Sequence, residues 1–362
     1  MPASDYRLTD LDGAFANPGN LGARVYLPSN LARGAPLVVA LHGCTQSAAA
    51  YDHGAGWSQL ADRAGFALLL PEQQRGNNPN LCFNWFSRED TARDKGEAAS
   101  IAAMISAMVA KHALDPARVF ITGLSAGGAM SAEMIEAYPE LFAAGAVIAG
   151  LPAGIAVGVP EALAAMAGSG GRPAKARVAN SDPRQLPRLS VWHGDADTTV
   201  APTNGDAIVA RALAARGIDV ASGATQAIGP HRRKTWSRPV QGGKAAPLVE
   251  QYEIAGMGHG VPLSTAGTAG ADAFALGMPG PHMLEAGIDS TARIAAFFGL
   301  VDLAELGSAA PSAAARPAAR IPRQPAHAAP RHHRTVAASP AAQAGGVQAV
   351  IEDALRKAGL MR

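Results

Sequence analysis

Short, continuous apolar runs recur along most of the chain: Pro36 to His42 (PLVVALH), Ala67 to Leu70 (ALLL, closed by Pro71), Val119 to Thr122 (VFIT), Ala146 to Ala149 (AVIA) and Leu189 to Trp192 (LSVW). They are too short for helices and do not alternate with polar residues, the pattern of strands covered on both faces. Val249 to Ile254 (VEQYEI) reads as a late strand. Between these runs the spacing turns helical over Trp57 to Ala64, Glu97 to His112, Ala126 to Glu136, Thr203 to Arg216 and Ser290 to Phe298. Gly65 and Gly217 stand where a left-handed C-terminal stop belongs. Strands alternating with helices predict an α/β fold with a mostly parallel central sheet and helices on both faces.

The pattern stops near Leu306. Ser308 to Gly346 is almost entirely Ala, Pro, Arg, Ser, His and Gln, and cannot bury enough apolar area to offset its ordering entropy. Helical spacing returns over Val347 to Met361, with Val347, Val350, Ile351 and Leu355 on one face. The expected organisation is a catalytic domain over 1–306, a flexible Pro/Ala/Arg-rich linker over 307–346 and an amphipathic helix over 347–362. That helix either docks back on the domain or binds a partner or a hydrophobic particle.

Composition removes several classes of function. Lys+Arg 31 against Asp+Glu 29 leaves a net charge of +2, which gives no global drive toward nucleic acid. Five arginines of the tail (Arg316, Arg320, Arg323, Arg331, Arg334) have no acidic neighbours there, so the near-neutral total hides a basic segment. Two cysteines exclude a disulfide-dense scaffold and a CxxC zinc module, and one disulfide remains open. His327, His332 and His333 fall in the low-complexity segment, where a solvated tail is a better reading than a metal site, so no metal is expected. The N-terminus has neither a basic n-region nor an apolar h-region, and no uninterrupted run of about eighteen apolar residues appears. The expected location is cytoplasmic, or secreted if a leader has been removed.

Gly123-Leu124-Ser125-Ala126-Gly127 matches G-x-S-x-G between the VFIT strand and a helix. That setting is a nucleophile elbow, which holds a serine on a strained turn above a sheet and needs glycines where backbones pass closely. The plain alternative is a glycine-rich turn with an N-cap serine. A serine needs a base, and the base needs an orienting carboxylate, in the chain order Ser, Asp or Glu, His. His259 in GMGHG, just past VEQYEI, is the first candidate base and His282 the second, while His193 precedes the candidate acids and is read as shaping its turn. HGDADTTV offers Asp195 and Asp197, and spacing alone leaves both open. The oxyanion donors expected are the amide of Ala126 and, from LHGCTQ, that of Cys44, with His42 as a turn residue. A Cys44–Cys82 disulfide would pin this loop against Phe83 to Phe86, although a reducing cytosol argues against it.

LHGCTQ, the run ending in LLPEQ, CFNWF, DPARVFITGLSAGGAM, HGDADTTV and GMGHG together resemble the polyhydroxybutyrate (PHB) depolymerase family of esterases, relatives of feruloyl and acetylxylan esterases. The resemblance spans roughly Asp5 to Leu300. It implies the α/β-hydrolase fold, Ser125 as nucleophile, Asp197 as acid, His259 as base, and Cys44 and Ala126 at the oxyanion hole. It also implies that Cys44 and Cys82 lie close together, with a bond between them as one option, and that Asn84 and Trp85 line the substrate cleft unless they only pack the core. Without a leader, the chain is most similar to the intracellular branch, so the implied substrate is stored poly(3-hydroxybutyrate) or its oligomers. A polymer granule touched by the terminal helix is the implied partner, and no cofactor is needed. The rival readings are a feruloyl or acetylxylan esterase and a non-catalytic granule-binding protein.

Overall fold

Residues 37–41, 67–72 and 119–124 are buried at every position but one, which is why they read as continuous apolar runs. In the structure, a computed structural model that describes residues 7–169, 186–238, 246–265 and 274–308, the two faces of these strands enter different cores. Leu37, Val39, Leu41, Leu69 and Ile121 pack against Ile101, Met104, Met108, Met130 and Met134. Val38, Ala40, Leu68, Leu70 and Phe120 face Trp57, Leu60, Ile294 and Phe298. Apolar residues at both parities are the price of a sheet covered twice.

The strands are β1 (Thr9–Asp10), β2 (Gly22–Tyr26), β3 (Leu37–Leu41), β4 (Ala67–Glu72), β5 (Val119–Leu124), β6 (Ala144–Ile148), β7 (Arg188–Gly194), β8 (Ala224–Ile228), β9 (His231–Trp236) and β10 (Val249–Ile254). They form one sheet in the order β1-β2-β4-β3-β5-β6-β7-β10-β9-β8. From β4 through β10 neighbouring strands are parallel, and both flanks are antiparallel. A small parallel pair, β11 (Val261–Leu263) and β12 (Met283–Glu285), lies outside it.

Helices α1 (Ala48–Ala55), α2 (Trp57–Ala64) and α8 (Ser290–Phe298) contribute to one core, and α4 (Gly96–His112) and α5 (Ala126–Ala137) to the other. Helix α7 (Thr203–Arg216) adds Ile208, Val209 and Leu213 to a third cluster beside β7. Short helices α3 (Arg88–Thr91), α6 (Val159–Met166) and α9 (Leu303–Ser308) complete the described α-helices. The helices predicted over 57–64, 203–216 and 290–298 have those bounds. β6 starts two residues before the predicted run, because Ala144 and Gly145 are themselves buried between β5 and β7. The described residues up to Gly307 belong to one compact unit. Positions 309–362, with most of the expected linker and the whole terminal helix, lie outside the described residues.

Candidate active site

Parallel strands bring their carboxyl ends to one edge of the sheet, and ligand sites collect there. Ser125 follows β5 at this edge with φ 56° and ψ −118°, conformational strain that costs of order 1–3 kcal/mol. The surroundings enforce it: the Ser125 N–H donates to Ile148 O at 2.9 Å. A Cβ at Gly127 would run into the carbonyl oxygens of Leu41 and His42, and one at Gly123 into that of Gly127, so both positions require glycine. α5 then starts directly at Ala126. The elbow geometry expected of G-x-S-x-G is therefore present. Among the described residues, Ser125 Oγ makes no hydrogen bond.

Asp197 sits in the turn after β7. Its Oδ1 accepts the backbone N–H groups of Thr199 at 2.8 Å and Val200 at 2.9 Å, and its Oδ2 lies 2.7 Å from His259 Nδ1. The carboxylate has no exposed side-chain surface, and His259 is nearly as buried. Burial alone would raise the Asp197 carboxyl. Hydrogen bonds from His193 and His259, the charge of His259 and the Val200 amide outweigh it and hold the group well below the usual carboxylate range. Asp195 is exposed and its carboxylate accepts the Gly256 N–H at 2.7 Å, so it ties the turn after β7 to the loop after β10.

Geometry gives His282 and His193 other roles. His282 Nδ1 lies 3.2 Å from the backbone oxygen of His259 and its ring stands edge-on at 5.8 Å, so it braces the His259 loop. His193 does shape its turn, through Nε2 at 2.8 Å from Val200 O, and the same nitrogen is 3.4 Å from Asp197 Oδ2. It is thus a second contact of the Asp197 carboxylate, which its place before Asp195 and Asp197 in the chain did not reveal.

Cys44 and Cys82 are joined by a disulfide with Cα atoms 4.2 Å apart. Neither Cys44 N–H nor Ala126 N–H has a hydrogen-bond acceptor among the described residues. Trp85 is buried in a cluster with Ala126, Leu151 and Val200, against which Cys44, Cys82 and Phe86 pack. Asn84 is half-buried; its Oδ1 accepts from Asn78 Nδ2 at 3.0 Å and its backbone N–H donates to Glu97 Oε2 at 2.9 Å. Sequence reading passed over Glu97, because an acid in a helix's first turn reads as a solvated partner of the helix dipole. It is instead fully buried, and burial pushes its carboxyl up to about 8 against the hydrogen bonds from Asn84 and Gln73.

Glu97 has a consequence for stability. The unfolded chain ionises it in the ordinary carboxylate range, and the fold resists ionisation until about pH 8. The stabilisation from the neutral form is therefore complete below the ordinary range and is lost as pH rises to about 8, by up to roughly 1.4 kcal/mol per pH unit. Urea midpoints between pH 5 and 8 are expected to fall more steeply in the parent than in Glu97→Gln, and equal slopes would contradict this.

No group of three or more potential metal ligands occurs among the described residues, and no described helix is long and apolar enough to cross a membrane. The family description "Esterase PHB depolymerase" matches residues 21–235, which include Cys44, Ser125 and Asp197 and stop short of His259. The chain belongs to the PHB depolymerase esterase family. As a member of that family it is a serine esterase with the α/β-hydrolase fold. It is 41% identical over 305 residues to poly(3-hydroxyalkanoate) depolymerase C of Paucimonas lemoignei, covering 83% of this chain and 72% of that one. It is 32% identical over 275 residues to a probable acetylxylan esterase A of Aspergillus clavatus, covering 68% of this chain and 82% of that one. The solved acetyl xylan esterase of Aspergillus awamori shares the fold with TM-score 0.64 at 24% identity, over 81% of this chain and 99% of that one.

Proposed function

We propose that this esterase hydrolyses poly(3-hydroxybutyrate) or its oligomers through an acyl-enzyme on Ser125. The observation that carries the catalytic part is the buried Asp197–His259 hydrogen bond at the sheet edge that also bears the Ser125 elbow. With Nδ1 engaged by the carboxylate, His259 keeps Nε2 for proton transfer. Ser125 Oγ attacks the ester carbonyl carbon as its proton passes to Nε2. The tetrahedral oxyanion is held by the Cys44 and Ala126 amides, each such donor contributing about 3 kcal/mol of transition-state stabilisation. The intermediate collapses, the C–O bond breaks, and Nε2 returns the proton to the departing hydroxyl of the hydroxyacid. Water then repeats the sequence against the acyl-enzyme and releases the acid. Asn84 and Trp85 are assigned to the cleft wall, supported for Trp85 by its packing beside Ala126.

The substrate reading rests on the 41% relative. An acetylxylan-type esterase is the second reading, favoured by the A. clavatus relative at 32%. The Cys44–Cys82 bond supports action in an oxidising compartment over the cytoplasmic location expected from the sequence. A domain over 1–306 followed by a linker and a helix that binds the polymer surface completes the proposal, supported by composition alone. The test is a hydrolysis panel of hydroxybutyrate oligomers, amorphous polymer, acetylated xylan and feruloyl esters, repeated on a chain ending at Gly307. Turnover of the oligomers is expected to exceed that of the sugar esters, with loss of 308–362 reducing only binding to polymer. Preference for acetylated xylan would overturn the substrate assignment, and unchanged polymer binding would overturn the role of the helix.

A further inference from the structure

His42 is completely buried and has no part in the mechanism above. Its ring nevertheless touches the peptide on which the oxyanion depends. Nδ1 lies 2.8 Å from Gly43 O, and Nε2 lies 3.1 Å from the backbone N of Gln73. A backbone amide can only donate, so Nε2 carries no proton and Nδ1–H donates to Gly43 O. Burial presses the imidazolium down to about 4, so the ring stays neutral in this tautomer at neutral pH.

Gly43 O also accepts the Gln46 N–H at 3.3 Å, while the Gly43 N–H donates to Gln46 Oε1 at 2.9 Å. Among the described residues no peptide bond is cis, so the Cys44 N–H points opposite to the Gly43 carbonyl. Holding that carbonyl on the His42 side leaves the Cys44 amide facing away from it, and it meets no acceptor among the described residues.

The residue that fixes the ring is itself framed. Gln73 Nε2 donates to Glu97 Oε1 at 2.6 Å and to Cys82 O at 3.0 Å, and Gln73 Oε1 accepts from Gln74 N and Asn77 Nδ2. The second Glu97 oxygen holds the Asn84 amide. One buried carboxyl therefore ties the end of β4 to the Cys82–Asn84 segment, whose disulfide leads back to Cys44.

We infer that His42 is a positioning residue of the oxyanion hole, presetting the Gly43–Cys44 peptide so that the Cys44 amide is aimed before substrate arrives, with Gln73 and Glu97 as its frame. This rests on the esterase site proposed above. A hydrogen-bond donor fixed in advance costs no reorganisation when charge develops, so its loss appears in kcat rather than in KM.

The experiment compares His42→Ala with His42→Asn, whose Nδ2 can stand where Nδ1–H stood. The readouts are kcat and KM on a p-nitrophenyl ester and affinity for an alkylboronic acid that forms a tetrahedral serine adduct. His42→Ala is expected to lose about 10²-fold in kcat and in boronate affinity with KM nearly constant, and His42→Asn to regain most of both. Should His42→Ala fail to fold, Glu97→Gln reads the frame with the ring in place, and a fall in kcat at constant KM is expected. Unchanged kcat in folded His42→Ala or in Glu97→Gln, or equal losses in the Ala and Asn variants, would overturn the inference. Ser125→Ala run in parallel separates the failures: activity surviving there overturns the esterase site itself, whereas an inactive Ser125→Ala beside a fully active His42→Ala overturns only the positioning role.

Discussion

Ser125→Ala is expected to lower kcat on short-chain esters by about 10⁵- to 10⁶-fold while leaving the urea midpoint almost unchanged. The kinetic loss follows because nothing else at the elbow can form the acyl bond; attack would fall to a water with no fixed position. The intact stability follows from what the hydroxyl does in the resting fold. Ser125 Oγ has no hydrogen-bond partner among the described residues, so its removal orphans no buried group. The strained φ of 56° is imposed by the backbone contacts of Gly123, Gly127 and Ile148, and alanine meets the same strain. A variant that kept activity within tenfold of the parent would show that the hydrolytic centre lies elsewhere.

Asp197→Asn is expected to cost about 10⁴-fold in kcat through tautomer reversal. The substitution preserves shape, and the Thr199 and Val200 amides still need an acceptor where Oδ1 stands. They fix the carbonyl of the new amide on their side, which turns its NH2 toward His259 Nδ1. Nδ1 must then accept, the ring proton moves to Nε2, and the base can no longer take a proton from Ser125. KM should change little, since the substrate does not meet this buried carboxyl. The parent carboxyl is depressed by its partners, so its stabilising contribution is present at neutral pH and lost only as strong acid protonates it. Asp195→Asn serves as the control: that exposed side chain holds only Gly256, and its kcat should stay within about threefold. A larger effect at Asp195 than at Asp197 would reverse the assignment.

The parts of the fold legible in the sequence were those whose burial leaves a periodic mark. The central strands are apolar at both parities because each faces two cores, and α2 and α7 end at the left-handed glycines Gly65 and Gly217. β8 and β9 (ATQAI and HRRKTW) escaped notice because they form the exposed antiparallel flank and carry polar side chains along most of their length. The elbow was legible since it is a local object: a strand, a serine between required glycines, a helix. The partner of His259, the proposed acid, was not, because Asp195 and Asp197 share one turn. What separates them is which carboxylate meets a histidine 62 positions away, on a loop brought alongside by the β7–β10 pairing. His42, Gln73 and Glu97 were hidden for the same reason. Each looks ordinary in its own segment, and their meaning arises from contacts across 31 and 24 positions.

Covalent labelling with a fluorophosphonate, followed by peptide mapping of the adduct, tests the central claim most directly. One equivalent of label is expected on the peptide that contains Ser125, with labelling slowed sharply in Asp197→Asn and absent in Ser125→Ala. An adduct on another serine, or hydrolytic activity that survives complete labelling, would contradict the assignment of this sheet edge as the esterase centre.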